Sequence, residues 1–329
     1  MRLPNLKTFA VPAALAAVLA AAACGTTEQG EETGGSENGA GPVSVTDFLG
    51  RTVELDAPAE KVVALEWAEV EIVTSLGVMP VGVADMEGYT TWAGTSVPLD
   101  DTVTDVGTRQ EPSIDAIAGL GADLVVMETD DEDLIASIEE FVPVLVTEGS
   151  NETDNLARMK RDVDMIAELT GTTDEAETLW ADFEAKIADT KAAIEAAGTG
   201  TVPYMFADGW IEGDAVSIRP FAATSLVGSL GTAVGLENVW TGETDGMWGL
   251  GGTDVEGMAQ YTDTDMKFVW NNADGSDIFS EGVAGNAIWE NLAFVENGAT
   301  YEVPKGVWMF GGPKSSEAIL DYFAEVYAS

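Results

Sequence analysis

The sequence contains no histidine and a single cysteine, and its 14 lysines and arginines face 58 aspartates and glutamates, a formal net charge of −44 over 329 residues. Each scarcity excludes something. Without histidine the chain lacks the usual general base near neutral pH and the commonest zinc and haem ligand. One cysteine rules out an intramolecular disulfide, so an exported domain must be held by its core alone. The net charge repels nucleic acid and anionic lipid headgroups alike, so neither is an expected partner. The apolar run from Phe9 to Ala23 is too short and too rich in alanine to make a comfortable membrane-spanning helix. Self-repulsion on this scale would be relieved by screening, which points to a salty habitat.

What the chain does contain begins at its amino terminus. Arg2 and Lys7 form a positive head before the apolar run, so residues 1–23 read as a signal peptide. Ala21, Ala22 and Ala23 stand directly before Cys24, and Gly25 follows it. This arrangement resembles a bacterial lipoprotein signal, which implies that Cys24 receives a diacylglycerol, with palmitate-type chains, and becomes the first residue of the mature protein. Two or more acyl chains hold a protein durably on a membrane, where one would not. Residues 24–42 pair that cysteine with glycines and glutamates and almost nothing apolar, so a disordered acidic tether is expected, its ends about 20 to 25 Å apart.

From 43 to 150 short β-branched runs such as "KVVALEW", "VMPVGVAD", "ADLVVMET" and "VPVLVTE" alternate with helical stretches, the pattern of a parallel α/β layer. Residues 151–199 carry apolar side chains at helical spacing, from Leu156 to Ile194, and predict a long linking helix interrupted only near "TGTT" at 170–173. A second α/β region occupies 200–329. The two regions share an echo: "SIDAIAGLGADLVVM" at 113–127 and "DVEGMAQYTDTDMKFVW" at 254–270 each run from an acid through a short helix into an Asp-led strand. Similar lobes on either side of one long helix are expected.

Two kinds of residue stand out for function. Only Arg51, Lys61 and Arg109 are basic between 43 and 150; the first two belong to a hairpin-like surface segment, which leaves Arg109 on a loop at a strand's carboxyl end, where open α/β sheets bind ligands. Nine tryptophans are many for a soluble domain, and Trp67, Trp92, Trp210, Trp248 and Trp308 fall in or near loops that follow strands. Broad aromatic walls suit a bulky, partly apolar ligand. Tyr89 in "GVADMEGYTTW" and Arg219 in "SIRPF" are further cleft candidates by placement.

The stretches "VTDFLGRTVEL", "KVVALEWAEVEIVTSLGVMPVGVAD", "DVGTRQEPSIDAI", "TSLVGSLGTAVGLENVW", "AIWENLAFVENG" and "VWMFGGPKSSEAILD", in this order, resemble the lipoprotein-anchored substrate-binding proteins of iron-siderophore ABC importers, especially the ferric-hydroxamate type. The resemblance implies an α/β fold of two Rossmann-like lobes joined by a single long α-helix, with a ligand cleft between them. It further implies that Arg109, Trp67, Trp248 and Trp308 face that cleft, and that Asp115 and Glu256 offer one acid per lobe to arginines of the permease subunits. The chain departs from the pattern after "DLVVM", where it reads "ETDDED" in place of a cleft tyrosine. The implied protein is a monomer on the outer face of the cell membrane, held by its lipid alone, needing no catalysis and no cofactor, since the ligand is the ferric siderophore itself. Few cationic residues in the cleft favour a neutral or cationic hydroxamate complex over a strongly anionic one. Alternatives are cobalamin or haem on the same fold, an anchored envelope hydrolase using paired carboxylates such as those of "ETDDEDL", in which no nearby feature is expected to raise a carboxylate's pKa, and a sensor or adaptor that transports nothing.

Overall fold

A computed structural model describes residues 41–128, 131–212, 215–271 and 277–328. The signal 1–23, Cys24 and all of the tether 24–42 but its last two residues lie outside the described residues. The chain starts with an antiparallel hairpin of β1 (Val43–Thr46) and β2 (Thr52–Leu55), in which Val43 lies opposite Leu55. Arg51 closes its turn through an ion pair with Asp47 and reaches Glu139 at 2.8 Å, a surface role.

The first lobe then alternates strand and helix: β3 (Val62–Ala64), α1 (Trp67–Ser75), β4 (Gly82–Val83), α2 (Met86–Trp92), β5 (Thr104–Asp105), α3 (Ile114–Leu120), β6 (Leu124–Met127), α4 (Glu132–Glu139) and β7 (Val144–Val146). All five strands of its sheet are parallel, in the order β5-β4-β3-β6-β7. Helices cover both faces of such a sheet, so its central strands are continuous apolar runs; Val62, Val63, Ala64, Leu124, Val125 and Val126 are fully buried. Local caps fix the helix starts: the Ser113 and Asp131 side chains accept from the first-turn amides of α3 and α4.

The linking stretch is two helices, α5 (Asn155–Thr170) and α6 (Thr173–Ala197), broken at Gly171, whose φ of 69° lies in the left-handed region that glycine adopts without strain. Both span the lobes. In α5, Met159 packs into the second lobe's core while Val163, Ile166 and Leu169 pack into the first; in α6, Leu179 packs with the first and Phe183 and Ile194 with the second. The 25-residue α6 is the long helix that joins the lobes, and α5 runs back against it.

The second lobe comprises β8 (Tyr204–Glu212), β9 (Ala215–Phe221), α7 (Leu226–Ala233), β10 (Thr253–Asp254), a 3-10 turn at Gly257–Tyr261, β11 (Lys267–Trp270), α8 (Ala287–Glu290), α9 (Ala293–Glu296), β12 (Thr300–Glu302) and α10 (Pro313–Ala328). Its sheet order is β10-β9-β8-β11-β12. The first lobe's order recurs position by position, with one change: β9 runs antiparallel to both β8 and β10, so a hairpin replaces a strand-helix-strand unit. The sequence echo falls where the topologies match, since α3 leads into β6 as the 3-10 turn leads into β11, and each of these strands pairs with its lobe's central strand.

The lobes also meet through a buried acid. Glu71 of α1, fully buried, accepts from the Ser315 amide at 2.9 Å and from the Ser315 hydroxyl, and so caps the start of α10 from the opposite lobe. The glycine pair before that helix makes room, because a β-carbon on Gly311 would lie 2.6 Å from Glu71 Oε2.

Candidate functional site

Where the carboxyl ends of both sheets face each other, a cavity of about 510 Å³ opens between the lobes. Trp67, Arg109, Trp248, Trp308 and Arg219 all line it. Trp67 begins α1 directly after β3, and only 4 % of it is exposed. The ring of Trp308, carried on the loop before α10, meets it edge-on at 4.8 Å. From Trp308 the aromatic wall continues to Trp92 at 6.1 Å and to Phe310 at 5.0 Å, and from Phe310 to Trp248 at 5.3 Å. Edge-to-face contacts of this kind fix ring orientations before any ligand arrives. The wall crosses from one lobe to the other.

Two arginines lie against it. The Arg109 guanidinium sits 3.9 Å from the centre of the Trp67 ring and donates to Glu66 at 2.8 Å. The Arg219 guanidinium forms a two-pronged pair with Asp208, with Nε 2.8 Å from Oδ1, and lies 5.8 Å from the rings of Phe310 and Trp210. Each lobe therefore supplies one carboxylate–arginine pair, the acid standing at the end of the central strand β3 or within β8. Among the described residues, the Trp67 indole nitrogen and Arg109 Nε are buried donors with no protein partner. Buried donors are normally satisfied, so these two are exceptions among the side chains that line the cavity.

Several sequence readings change here. Tyr89 does not reach the cavity: its position on α2 turns it inward, it is 1 % exposed, and its hydroxyl donates to the Val97 carbonyl at 2.7 Å. Arg219 is on strand β9 and not on a loop. Trp92, for which sequence placement left core packing equally open, lines the cavity. Trp210, in the same position, stands 47 % exposed on β8. Glu66, Asp208 and Phe310 were not singled out; the pairing of each acid with its arginine, across 43 residues in the first case, was the signal that only the fold supplies.

Glu128 is the largest change. The run "ETDDED" reads as a solvated loop whose neighbours would leave its carboxyl groups unperturbed. Thr129 and Asp130 lie outside the described residues, but Glu128 follows β6 onto the cavity floor. Burial, reinforced by the charges of Glu69 and Glu66, pushes its carboxyl group up to about 9, against the pull of Arg158. Beneath it, burial raises Glu69 to about 7, although the Thr147 hydroxyl donates to it at 2.6 Å. Asp162 is raised by burial too, opposed by its partner Arg158 at 3.0 Å.

Asp115 in the first turn of α3 and Glu256 just before the 3-10 turn are both exposed. Each follows the edge strand of its sheet, β5 or β10, at that strand's carboxyl end. Among the described residues there is no cluster of three or more potential metal-ligating side chains, and no helix long and apolar enough to cross a membrane.

Two lobes on a helical hinge with an aromatic, arginine-bearing cleft define a binding protein of the two-domain kind. The sequence profile of the periplasmic binding protein family matches residues 62–306, and the chain belongs to that family. It is a family of binding proteins rather than enzymes. The chain is 28 % identical over 259 residues to the iron(3+)-hydroxamate-binding protein FhuD of Escherichia coli (strain K12), covering 78 % of this chain and 83 % of that one. It is 25 % identical over 334 residues to the Fe(3+)-citrate-binding protein YfmC of Bacillus subtilis (strain 168), with 99 % of each covered. The crystal structure of the Fe3+–Desferal-bound siderophore-binding protein FhuD from Vibrio cholerae superposes with a TM-score of 0.70 at 22 % identity, over 82 % of this chain and 98 % of that one, and shares its fold.

Proposed function

We propose that the protein is the extracytoplasmic receptor of an ABC importer, capturing a ferric siderophore of the hydroxamate type and delivering it to the membrane permease for iron uptake. The observation that carries this reading is the cleft itself: rings preset across both lobes, with an arginine of each lobe among the lining side chains. The ferric ion is cargo, held by the siderophore, so the protein supplies shape, aromatic faces and the donors of Arg109. Trp67, Trp248 and Trp308 pack on the chelate, with Arg219 on the opposite wall. The names of relatives that bind iron(3+)-hydroxamate and Fe(3+)-citrate support the ligand class, and the electrostatics favour the first, since both cleft arginines are already balanced by acids.

Asp115 and Glu256 dock one lobe each onto a permease subunit, a role their exposure at matching topological positions supports. A lipid on Cys24 tethers a monomer to the outer face of the cell membrane, in keeping with relatives named as lipoproteins. Titrating the purified protein with a ferric hydroxamate, a ferric catecholate, haem and cobalamin while following tryptophan fluorescence tests the reading. Saturable quenching by the hydroxamate alone is expected. Quenching only by another ligand keeps the receptor and replaces its cargo; no quenching overturns the proposal.

A further inference from the structure

Resting on the reading of the cleft as a chelate site, we propose that Glu128 is its charge-selecting residue: the carboxyl group on the floor receives a cationic group carried by the ligand, so a chelate with a pendant ammonium is preferred over its uncharged analogue.

The cleft's charges lead there. Its two cations are already occupied by acids of their own lobes, Arg109 by Glu66 at 2.8 Å and Arg219 by Asp208. Glu128 is the third carboxyl group of the lining, and no described cation lies within ion-pair distance of it. Arg158, the cation that acts on it, is committed to Asp162 at 3.0 Å. Lining acids thus outnumber lining cations, three to two. An anionic ligand would meet neutralised arginines and an excess of carboxyl groups; a cationic one finds an unclaimed acceptor.

The aromatic wall points the same way independently. Ring faces attract cations, and the protein's own arginines stand over Trp67, at 3.9 Å, and near Phe310, at 5.8 Å. Among the described residues no cation of the protein lies over Trp92 or Trp248, both of which line the cavity. Glu128 is also held in place, its carboxyl group packed so closely on Gly149 that a β-carbon there would lie 1.9 Å from Glu128 Cδ.

The groups facing Glu128 are Glu66 just before α1, Glu69 within it, and Arg158 and Asp162 of α5. In the empty cleft burial and the charges of Glu69, Glu66 and Asp162 hold a proton on Glu128 through neutral pH, against the pull of Arg158. A docking ammonium keeps its own proton, and the proton on Glu128 leaves to solvent. The preference for the cationic ligand therefore grows as pH rises toward 9, and an uncharged ligand shows no such growth.

Ferric Desferal, a trihydroxamate with a free terminal ammonium, and its N-acetylated form, in which a neutral amide replaces that ammonium, are the probes. Dissociation constants are measured by fluorescence for the full chain at pH 6.5, 7.5 and 8.5, and again with Glu128→Gln, which keeps the shape and cannot ionise. We expect the wild-type protein to favour the ammonium form by about tenfold at pH 8.5, the scale of one hydrogen bond to a charged group, and by less at pH 6.5. In the variant the ratio should fall to within about twofold of unity at every pH. A wild-type ratio near unity throughout, or a wild-type ratio retained in the variant, overturns the proposal and leaves the receptor reading standing. The wild-type pH series decides by itself if the variant does not fold. Binding of neither chelate overturns both.

Discussion

The two lobes share a strand order and differ in what they put behind the cleft. In the first, five parallel strands lie under helices, and the wall conceals ionisable groups: Glu69 and Asp162 are 1 % exposed beneath Glu128. In the second, the hairpin of β8 and β9 replaces one helical connection, its acid is matched at once by the neighbouring Arg219, and the rim carries exposed Trp210, Ile211 and Met247. A strand-helix-strand unit must be covered and so buries what it holds; a hairpin can project. One topology thus yields a rigid floor of buried acids on one side and an apolar, outward arm on the other.

The sharpest way to break the comparison is to uncouple the lobes. Glu71→Ala leaves the Ser315 amide and hydroxyl without their acceptor in a buried site and opens a void beside the α10 start. A loss of about 3 kcal/mol in denaturant-unfolding stability is expected. Since Ser315 Oγ also accepts from the Trp308 amide at 3.4 Å, the cleft ring should loosen with it, seen as a shift in tryptophan emission. A loss under about 1 kcal/mol would mean that the helices α5 and α6 alone hold the lobes together.

The hidden acids of the first lobe give the next largest effect. Glu69 rises from the ordinary carboxylate value of 4.5 to about 7, so between those limits the folded protein binds more protons than the unfolded chain. Stability is then fully supported below about 4.5 and falls as pH rises through 7. Glu69→Gln should flatten that fall, by on the order of 1–3 kcal/mol between pH 5 and 8, read from melting temperatures across the range.

The arginines compare the walls directly. Arg109→Ala removes the cation stacked on Trp67 at the cavity wall and should weaken a ferric hydroxamate by roughly 10- to 100-fold in fluorescence titration. Arg219→Ala should weaken it by only about 3- to 10-fold, since both prongs of that guanidinium are spent on Asp208. The reverse order would shift the main contact to the second lobe.

How legible this was varies along the chain. The central parallel strands could be read because burial on both faces writes them as unbroken apolar runs; Trp67 could be read because it follows such a run, and Arg109 because it follows the strand-like "VTDV" and a glycine. Strand β9 could not: "AVSIRPF" holds a proline, a poor strand residue, and is a strand through its pairing along β8, in which Pro220 lies opposite Ala207. Tyr89 and Glu128 failed in opposite directions. A tyrosine beside a turn looks like a cleft ring and is core, whereas an acid in an acidic run looks solvated and is floor, and in both cases the deciding fact is which way one residue turns after the strand ends. The break between α5 and α6 at "TGTT" was visible, yet that the two helices run back against each other and both cross the lobes needed the packing of Met159 and Phe183.

The smallest effect tests the projecting arm. Trp210 shares a face of β8 with Asp208, two residues away, and its ring stands 5.8 Å from the Arg219 guanidinium, which puts it at the outer edge of the second wall. At 47 % exposed it adds little to folding, so Trp210→Ala should change stability by less than about 0.5 kcal/mol. A bulky chelate that overfills the 510 Å³ cavity would still lean on it, and a two- to fivefold loss of affinity is expected for a large ferric hydroxamate and none for a compact one. Equal losses for both would mean that the arm closes over every ligand, and the contrast between a rigid floor and a projecting rim would have to be redrawn as one between a fixed and a moving wall.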